Sequence, residues 1–375
     1  MSTPNNTKLH HIIKETIQRA DTHSITFAEF MELALYHPTL GYYCNARSPF
    51  GRSGDFVTAS EISPLFAKCI AQQCQSVLSE LGGGDILEIG AGSGRFAVDL
   101  LIELEKNGVL PNTYFIFEKS QSLQDTQHHT LQSLAPHLLS RVQWLDAFPT
   151  QPINGVIFAN EVLDAMPFHC FQIEKNTPHE RCVTFKNEQF EWEIQPAHHD
   201  VIDATRALLP LPNGYHSEIN LHLSDWITEA SRALNKGLIL LIDYGYPQAE
   251  YYRPDRTQGT LMCFHEHHKH DNPFIWIGSQ DITAHVNFTA VAEYASSAQL
   301  TVAGFTTQAG FLLACGLTDL IEKNLSPIDE CRQTQAIKML TLPSQMGEII
   351  KAIGLTREIN TPLLGFMLHD RRRDL

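Results

Sequence analysis

The stretch Asp85-Ile-Leu-Glu88-Ile-Gly90-Ala-Gly92-Ser-Gly94-Arg95 decides how the rest of the chain reads. Ile86–Ile89 has the apolar weight of a short buried strand. Three glycines follow at alternate positions, and then a helical run near Arg95–Lys106. Strand, glycine turn and helix in direct succession make the ligand-binding corner of an α/β sheet. Side chains in such a turn would collide with a ligand lying against the backbone. A dinucleotide turn, Gly-x-Gly-x-x-Gly, would put its third glycine at position 95. That position is Arg95, and the third glycine comes one step early at Gly94.

Acids around the turn narrow the ligand. Glu88 stands two residues before Gly90, where it would repel a pyrophosphate and attract the ammonium of an amino-acid moiety. S-adenosylmethionine carries such an ammonium and a sulfonium, and has no phosphate. Glu118 ends the next strand, Tyr114–Glu118, where a carboxylate can accept from both ribose hydroxyls. Asp146 ends the strand Val142–Leu145 and would meet the adenine amine. The pattern predicts a class I S-adenosylmethionine-dependent methyltransferase core with Gly90, Gly92 and Gly94 against the donor. A turn used only for packing and a nicotinamide enzyme are the competing readings.

Outward from the turn, Val156–Ala159, Leu238–Asp243 and Leu300–Phe305 read as further strands between helices. A helix is expected over Leu223–Leu234, and Leu364–His369 is the expected final, antiparallel strand. Buried strands alternating with helices imply a mostly parallel sheet covered on both faces. Residues 8–36 and 62–80 carry apolar positions at helical spacing, with an irregular segment, His37–Ser60, between them. Phe171–Ile194 alternates like a β-hairpin turning near Lys186-Asn187. Tyr246–Phe288, roughly 40 residues with no regular pattern, reads as a lid or binding segment. The expected architecture is α/β, doubly wound and Rossmann-like. It has a helical N-terminal extension over 1–80 and a core over 81–375, with a hairpin insert about 170–195 and a cap insert about 246–288.

Composition excludes several classes. Of 375 residues, 27 are Lys or Arg and 42 Asp or Glu, so 27 − 42 leaves a net charge of −15. A surface this acidic repels phosphate backbones, and no nucleic-acid partner is expected. Arg371–Arg373 reads as a solvated tail. No apolar run approaches the ~18 residues of a membrane span. The polar start lacks a secretory or transit pattern. The eight cysteines form no Cys-x-x-Cys pair, which suggests free thiols in a reducing compartment and a cytoplasmic location. His265-Glu-His267-His268-Lys-His270 clusters imidazoles, yet four histidines in six residues cannot all face one ion, and no metal is expected.

The acceptor chemistry is expected after the fourth core strand, in Asn160-Glu161-Val-Leu-Asp164-Ala-Met-Pro167. Asn160 would lie beside the donor. In a helical turn Glu161 and Asp164 share a face, and two carboxylates can grip a guanidinium by forked hydrogen bonds. They would orient one nitrogen toward the methyl and draw positive charge toward the others, which raises the nucleophilicity of a group otherwise always protonated. Methyl transfer is an in-line displacement, so positioning supplies much of the rate. The bland alternative is that these acids cap the next helix. His285, in Asp281–Thr289, is either a base or acceptor contact, or a satisfied structural histidine.

These residues fall into a longer ordered series. It runs through His37-Pro-x-x-Gly41-Tyr42-Tyr43, Gly54-Asp55-Phe56-Val-Thr58-Ala-Ser60-Glu61-Ile-Ser63, the Glu88–Gly94 turn and Asn160-Glu161-x-x-Asp164-Ala-x-Pro167. Asp243-Tyr244-Gly245, Gly259-Thr260-Leu261 and Asp281–Thr289 complete it. In this order the chain resembles MidA-like proteins from about residue 25 to its C-terminus. The resemblance implies a class I methyltransferase fold. In mitochondrial members it implies protein arginine methylation needed for assembly of respiratory complex I. It also implies that Gly54–Thr58 closes over the donor, which adds Asp55, Phe56 and Thr58 to the site. Ser60 stands where a proline is commoner, and Asn287 where an aspartate is usual. The expected function is methyl transfer from S-adenosylmethionine to arginine side chains of a protein partner, with a complex I subunit as one candidate and a homodimer as one arrangement. A non-catalytic assembly factor and a small-molecule methyltransferase are the rivals.

Overall fold

In the computed structural model, residues 4–45 and 58–375 are described. Contacts gather the chain into two units. One comprises Met1–Phe56, Leu163–Ser224 and Gln248–His285; the other comprises Val57–Val162, Asp225–Pro247 and Val286–Leu375. Neither follows the linear boundaries at 80 and 81: the first unit combines the N-terminus with two later segments, and the helix Pro64–Leu81 belongs to the second.

The second unit is the sheet expected from the glycine turn. Its strands are β1 (Asp85–Ile89), β2 (Tyr114–Phe117), β3 (Val142–Leu145), β4 (Ile153–Asn160), β5 (Leu234–Tyr246), β6 (Thr301–Thr307) and β7 (Ile350–Arg357). Among the described residues they lie in the order β6-β7-β5-β4-β1-β2-β3, with Val286–Asn287 added alongside β5. Neighbours from β3 to β5 are parallel, while β7 runs antiparallel to both β5 and β6. Successive residues Leu238–Ile242 in β5 are all buried. This explains the near-continuous apolar run of a strand covered on both faces, each such side chain contributing about 1.5–3 kcal/mol. Three helices matter below: α1 (Pro64–Leu81), α2 (Arg95–Lys106) and α3 (Gln121–Leu134). Phe66 of α1, Phe96 of α2 and Phe158 of β4 meet in the core, the last two rings stacked at 4.6 Å.

The antiparallel strand is present, but not at Leu364–His369. That segment is a single 3-10 turn, Leu364–Phe366, followed by Met367 and Leu368, exposed at 66% and 70%. The strand is instead Ile350-Lys-Ala-Ile-Gly-Leu-Thr-Arg357, every residue of it buried but the last. Full burial erased the polar–apolar alternation, and Lys351 and Gly354 disguised the run. Phe366 packs where a side chain at Gly304 or Gly354 would stand, so its apolarity serves the sheet's face and not a strand.

The first unit is more regular than its sequence. Residues 8–36 are two helices, Pro4–Arg19 and Phe27–Tyr36, parted by the two-residue strand Ser24–Ile25. A capping box between Thr26 and Glu29 starts the second. Around Phe171–Ile194 stands a meander, His169–Glu174, Thr177–Lys186 and Gln189–Pro196, in place of one hairpin. Its turns fall at Lys175-Asn176 and Asn187-Glu188, all four with positive φ. The stretch 246–288 holds a small sheet in the order His268–His270, Met262–His265, Asp281–Thr283. Within it, Glu266 and His267 form a left-handed turn, which sends the neighbouring histidines along two antiparallel strands. Strands of three or four residues fall below what periodicity can detect.

Candidate active site

Gly90, Gly92 and Gly94 all have positive φ, at 70°, 53° and 78°. Gly90 N–H donates to Phe117 O at 3.1 Å, tying the turn to β2, and Gly94 N–H donates to Ala91 O at 2.8 Å. Gly94 then caps α2 in the left-handed conformation. A Cβ at Gly94 would lie 2.9 Å from Gln127 Cα of α3, so the early third glycine answers to helix packing as well as to backbone geometry. Arg95, where a dinucleotide turn would have glycine, pairs with Asp99 at 2.9 Å.

The strand-tip acids are arrayed as expected in this unit. Glu88 is only 4% exposed, and its carboxylate accepts from Tyr114 Oη at 2.7 Å. Burial pushes its carboxyl up to about 8, so at neutral pH it holds a proton until a cation comes beside it. Glu118 lies just past β2 and accepts from Ser120 N–H at 2.9 Å and Gln127 Nε2 at 3.2 Å. Its pKa is raised, chiefly by burial, with those two donors pulling the other way. Asp146 follows β3 directly and is exposed.

Two further groups join the turn. Ser93 Oγ bonds to the Glu61 carboxylate and accepts from Arg95 N–H. Thr58 and Ser60 share a hydroxyl hydrogen bond of 2.8 Å, and Ala59 N–H donates to Glu161 Oε1 at 3.3 Å. Glu61 was part of the motif series without a role; here it contacts the glycine turn. Asp55 and Phe56 lie outside the described residues. Glu161 has φ of 52° at the end of β4, and its N–H donates to Ile242 O at 2.9 Å. Asp243 accepts from Val162 N–H at 3.1 Å. Asn160 Nδ2 donates to Glu161 Oε1 at 3.2 Å, while Asn160 Oδ1 is buried without a donor among the described residues. Residues 161–167 form turns and bends, so no helix puts Glu161 and Asp164 on a common face, and none follows for them to cap.

In the other unit, Asp164 belongs to a cluster with Tyr36, Tyr43 and Asp281. Both carboxylates are 7% exposed. The Tyr36 and Tyr43 rings stack at 5.5 Å. Tyr43 Oη donates to Asp281 Oδ1 at 2.8 Å, and Tyr36 Oη to Ala165 O at 2.9 Å. Burial first, and then the carboxylates of Asp281 and Asp164, push both phenols well above their ordinary value. Ala284 N–H donates to Asp164 O at 3.0 Å. His285 N–H donates to Thr260 Oγ1 at 3.0 Å, and Thr260 is itself held by the buried Glu218. In the sheet unit, Asn287 does the work of an aspartate at a helix start: its Oδ1 accepts from Thr289 and Ala290 N–H. Among the described residues, His198, His199 and Asp200 are a group of potential metal ligands drawn together, and all are exposed.

The arrangement fits S-adenosylmethionine. It offers a left-handed glycine turn for close approach, a buried carboxyl at Glu88 suited to a cation, Glu118 at the second strand tip, and the unused acceptor Asn160 Oδ1. A parallel sheet of this order with one antiparallel strand defines a Rossmann-like methyltransferase fold. The profile of the family described as "Putative S-adenosyl-L-methionine-dependent methyltransferase" matches residues 69–306. A crystal structure of a Burkholderia thailandensis protein bound to S-adenosyl-homocysteine is 35% identical and aligns with TM-score 0.94, covering 100% of this chain and 99% of that one. Danio rerio protein arginine methyltransferase NDUFAF7, mitochondrial, is 28% identical over 92% of this chain and 86% of its own. The Homo sapiens protein of that name is 28% identical over 87% and 79%. The chain belongs to this family of S-adenosylmethionine-dependent methyltransferases: it is an enzyme, and S-adenosylmethionine is its cofactor.

The expected cytoplasmic location is corrected by the same relatives, which are named as mitochondrial proteins. Scattered free cysteines report a reducing compartment and do not distinguish one such compartment from another. No helix among the described residues is long and apolar enough to cross a membrane.

Proposed function

We propose that the enzyme methylates arginine side chains of a protein partner, with a subunit of respiratory complex I as the first acceptor to test. The observation that carries the acceptor class is the cluster of Asp164 and Asp281 with the stacked rings of Tyr36 and Tyr43. Planar, always-charged guanidinium is the cation that both stacks on aromatic faces and takes carboxylates in forked geometry. Relatives named as protein arginine methyltransferases, matched over about nine-tenths of the chain, support the same reading.

Bound S-adenosylmethionine supplies an electrophilic methyl group on a sulfonium. Glu88, Gly90, Gly92, Gly94, Glu118, Asp146 and Asn160, with Asp55, Phe56 and Thr58, are the residues assigned to hold it. Asp164, together with Asp281 of the same unit, is the proposed grip on the guanidinium, and Glu161 is proposed on its own as an acceptor-side acid at the end of β4. Two carboxylates concentrate its charge on two nitrogens and leave the third richer in electron density, and fixing that nitrogen in line with the methyl removes the entropy of encounter. His285 stands as a contact on the acceptor side.

The test is to incubate the protein with isotopically labelled donor and a complex I-containing extract, then map the label by peptide mass spectrometry. Label on arginine is the expected result. Label confined to lysine, to other side chains or to small molecules would refute the acceptor class.

A further inference from the structure

Helix α3 buries Leu123, Gln127 and Leu131, one residue per turn. A glutamine in such an apolar stripe loses its hydration and needs partners for its whole amide. Gln127 is 0% exposed and has them. Its Nε2 donates to Gly92 O at 3.1 Å and to Glu118 Oε2 at 3.2 Å, and its Oε1 accepts from Trp144 Nε1 at 3.0 Å. The orientation is forced, because an indole N–H only donates and a peptide carbonyl only accepts. One amide therefore joins the glycine turn after β1, the acid at the tip of β2, and Trp144 in β3.

The consequence falls on Glu118. An ionised carboxylate has about four acceptor sites, and Ser120 N–H and Gln127 Nε2 each take one, on different oxygens. With the Lys119 N–H also acting on this carboxylate, it can no longer swing, and the acceptor directions that these donors leave are turned to a diol. We propose that Gln127 is a donor-positioning residue that fixes the Glu118 carboxylate for the ribose hydroxyls of S-adenosylmethionine and locks it in register with the glycine turn. This rests on the reading of Glu118 as the ribose acid.

The test compares S-adenosylhomocysteine with its 2′,3′-dideoxy analogue by calorimetry on the full chain, for wild type, Gln127→Ala, Gln127→Glu and Glu118→Ala. Gln127→Ala should weaken S-adenosylhomocysteine on the order of tenfold and leave the dideoxy analogue within about twofold. A merely structural role would weaken both ligands alike, and that result overturns the inference. If Gln127→Ala does not fold, the isosteric Gln127→Glu decides. It faces a carbonyl and a carboxylate, so it should bind S-adenosylhomocysteine progressively worse as pH rises from 6 to 8, whereas binding of the dideoxy analogue should keep the wild-type pH profile; equal pH slopes for the two ligands overturn the inference. Glu118→Ala separates the two layers. If it too ignores the ribose hydroxyls, the ribose reading fails and the inference with it; if it responds to them while Gln127→Ala does not, only the inference fails.

Discussion

The glycine turn after β1 and the Tyr36–Tyr43–Asp164–Asp281 cluster present their chemistry by opposite means. The turn uses main chain: seven consecutive residues, Glu88–Gly94, supply the geometry, and three of them have no side chain at all. The cluster uses side chains brought from three distant stretches of one unit, with a phenol donating to a carboxylate 238 positions away. Main-chain sites are written locally, because glycine is the residue that adopts positive φ without strain. Side-chain sites of ordinary composition leave no local mark.

That contrast can be broken by experiment. The largest effect is expected at Glu161. Glu161→Gln keeps an oxygen for the Ala59 and Asn160 N–H groups but removes the charge. Single-turnover rates should fall by roughly 10²–10³, with donor affinity by calorimetry nearly unchanged. Comparable loss of both would move Glu161 from the acceptor to the donor.

A smaller effect belongs to Glu88. Burial holds its carboxyl at about 8 in the free protein. The donor's ammonium favours the carboxylate, so binding lowers that pKa and releases a proton. Donor affinity should therefore rise with pH by up to about tenfold per unit between pH 6 and 7.5, where the ligand's ammonium keeps its charge. Glu88→Gln should flatten the profile; a slope that persists in the variant assigns the proton elsewhere.

The smallest effect tests the side-chain cluster. Tyr43→Phe removes the hydroxyl that donates to Asp281, a loss of about 1 kcal/mol, or roughly fivefold. It should appear in the KM for the acceptor while the donor constant stays put. A change in donor affinity with the acceptor KM untouched would count against the cation-binding role.

Much of the sheet was legible because strands covered on both faces carry continuous apolar runs, as Ile86-Leu87 in β1, Val156–Ala159 in β4 and Leu238–Ile242 in β5 do. The final strand was not, since Lys351 and Gly354 look unlike a strand interior until the neighbouring β5 and β6 are in place. The places of Glu88 and Glu118 at the ends of β1 and β2 were legible from their distance to glycines and strand ends. Gln127 was missed, although a glutamine between Leu123 and Leu131 in a buried stripe was the available signal. Tyr43 and Asp281 stood in the motif series, but nothing in their spacing said they touch.

By itself the sequence determined the class of ligand: the position of each glycine, and the acid before the first, select a cationic, phosphate-free nucleoside, because backbone conformation and near-neighbour charge act over a few residues. Tertiary structure decided the rest. Which residue completes the sheet, which amide fixes Glu118 and which tyrosines face Asp281 depend on contacts between remote segments, and hydrogen bonds only 3 Å long are set by how those segments pack.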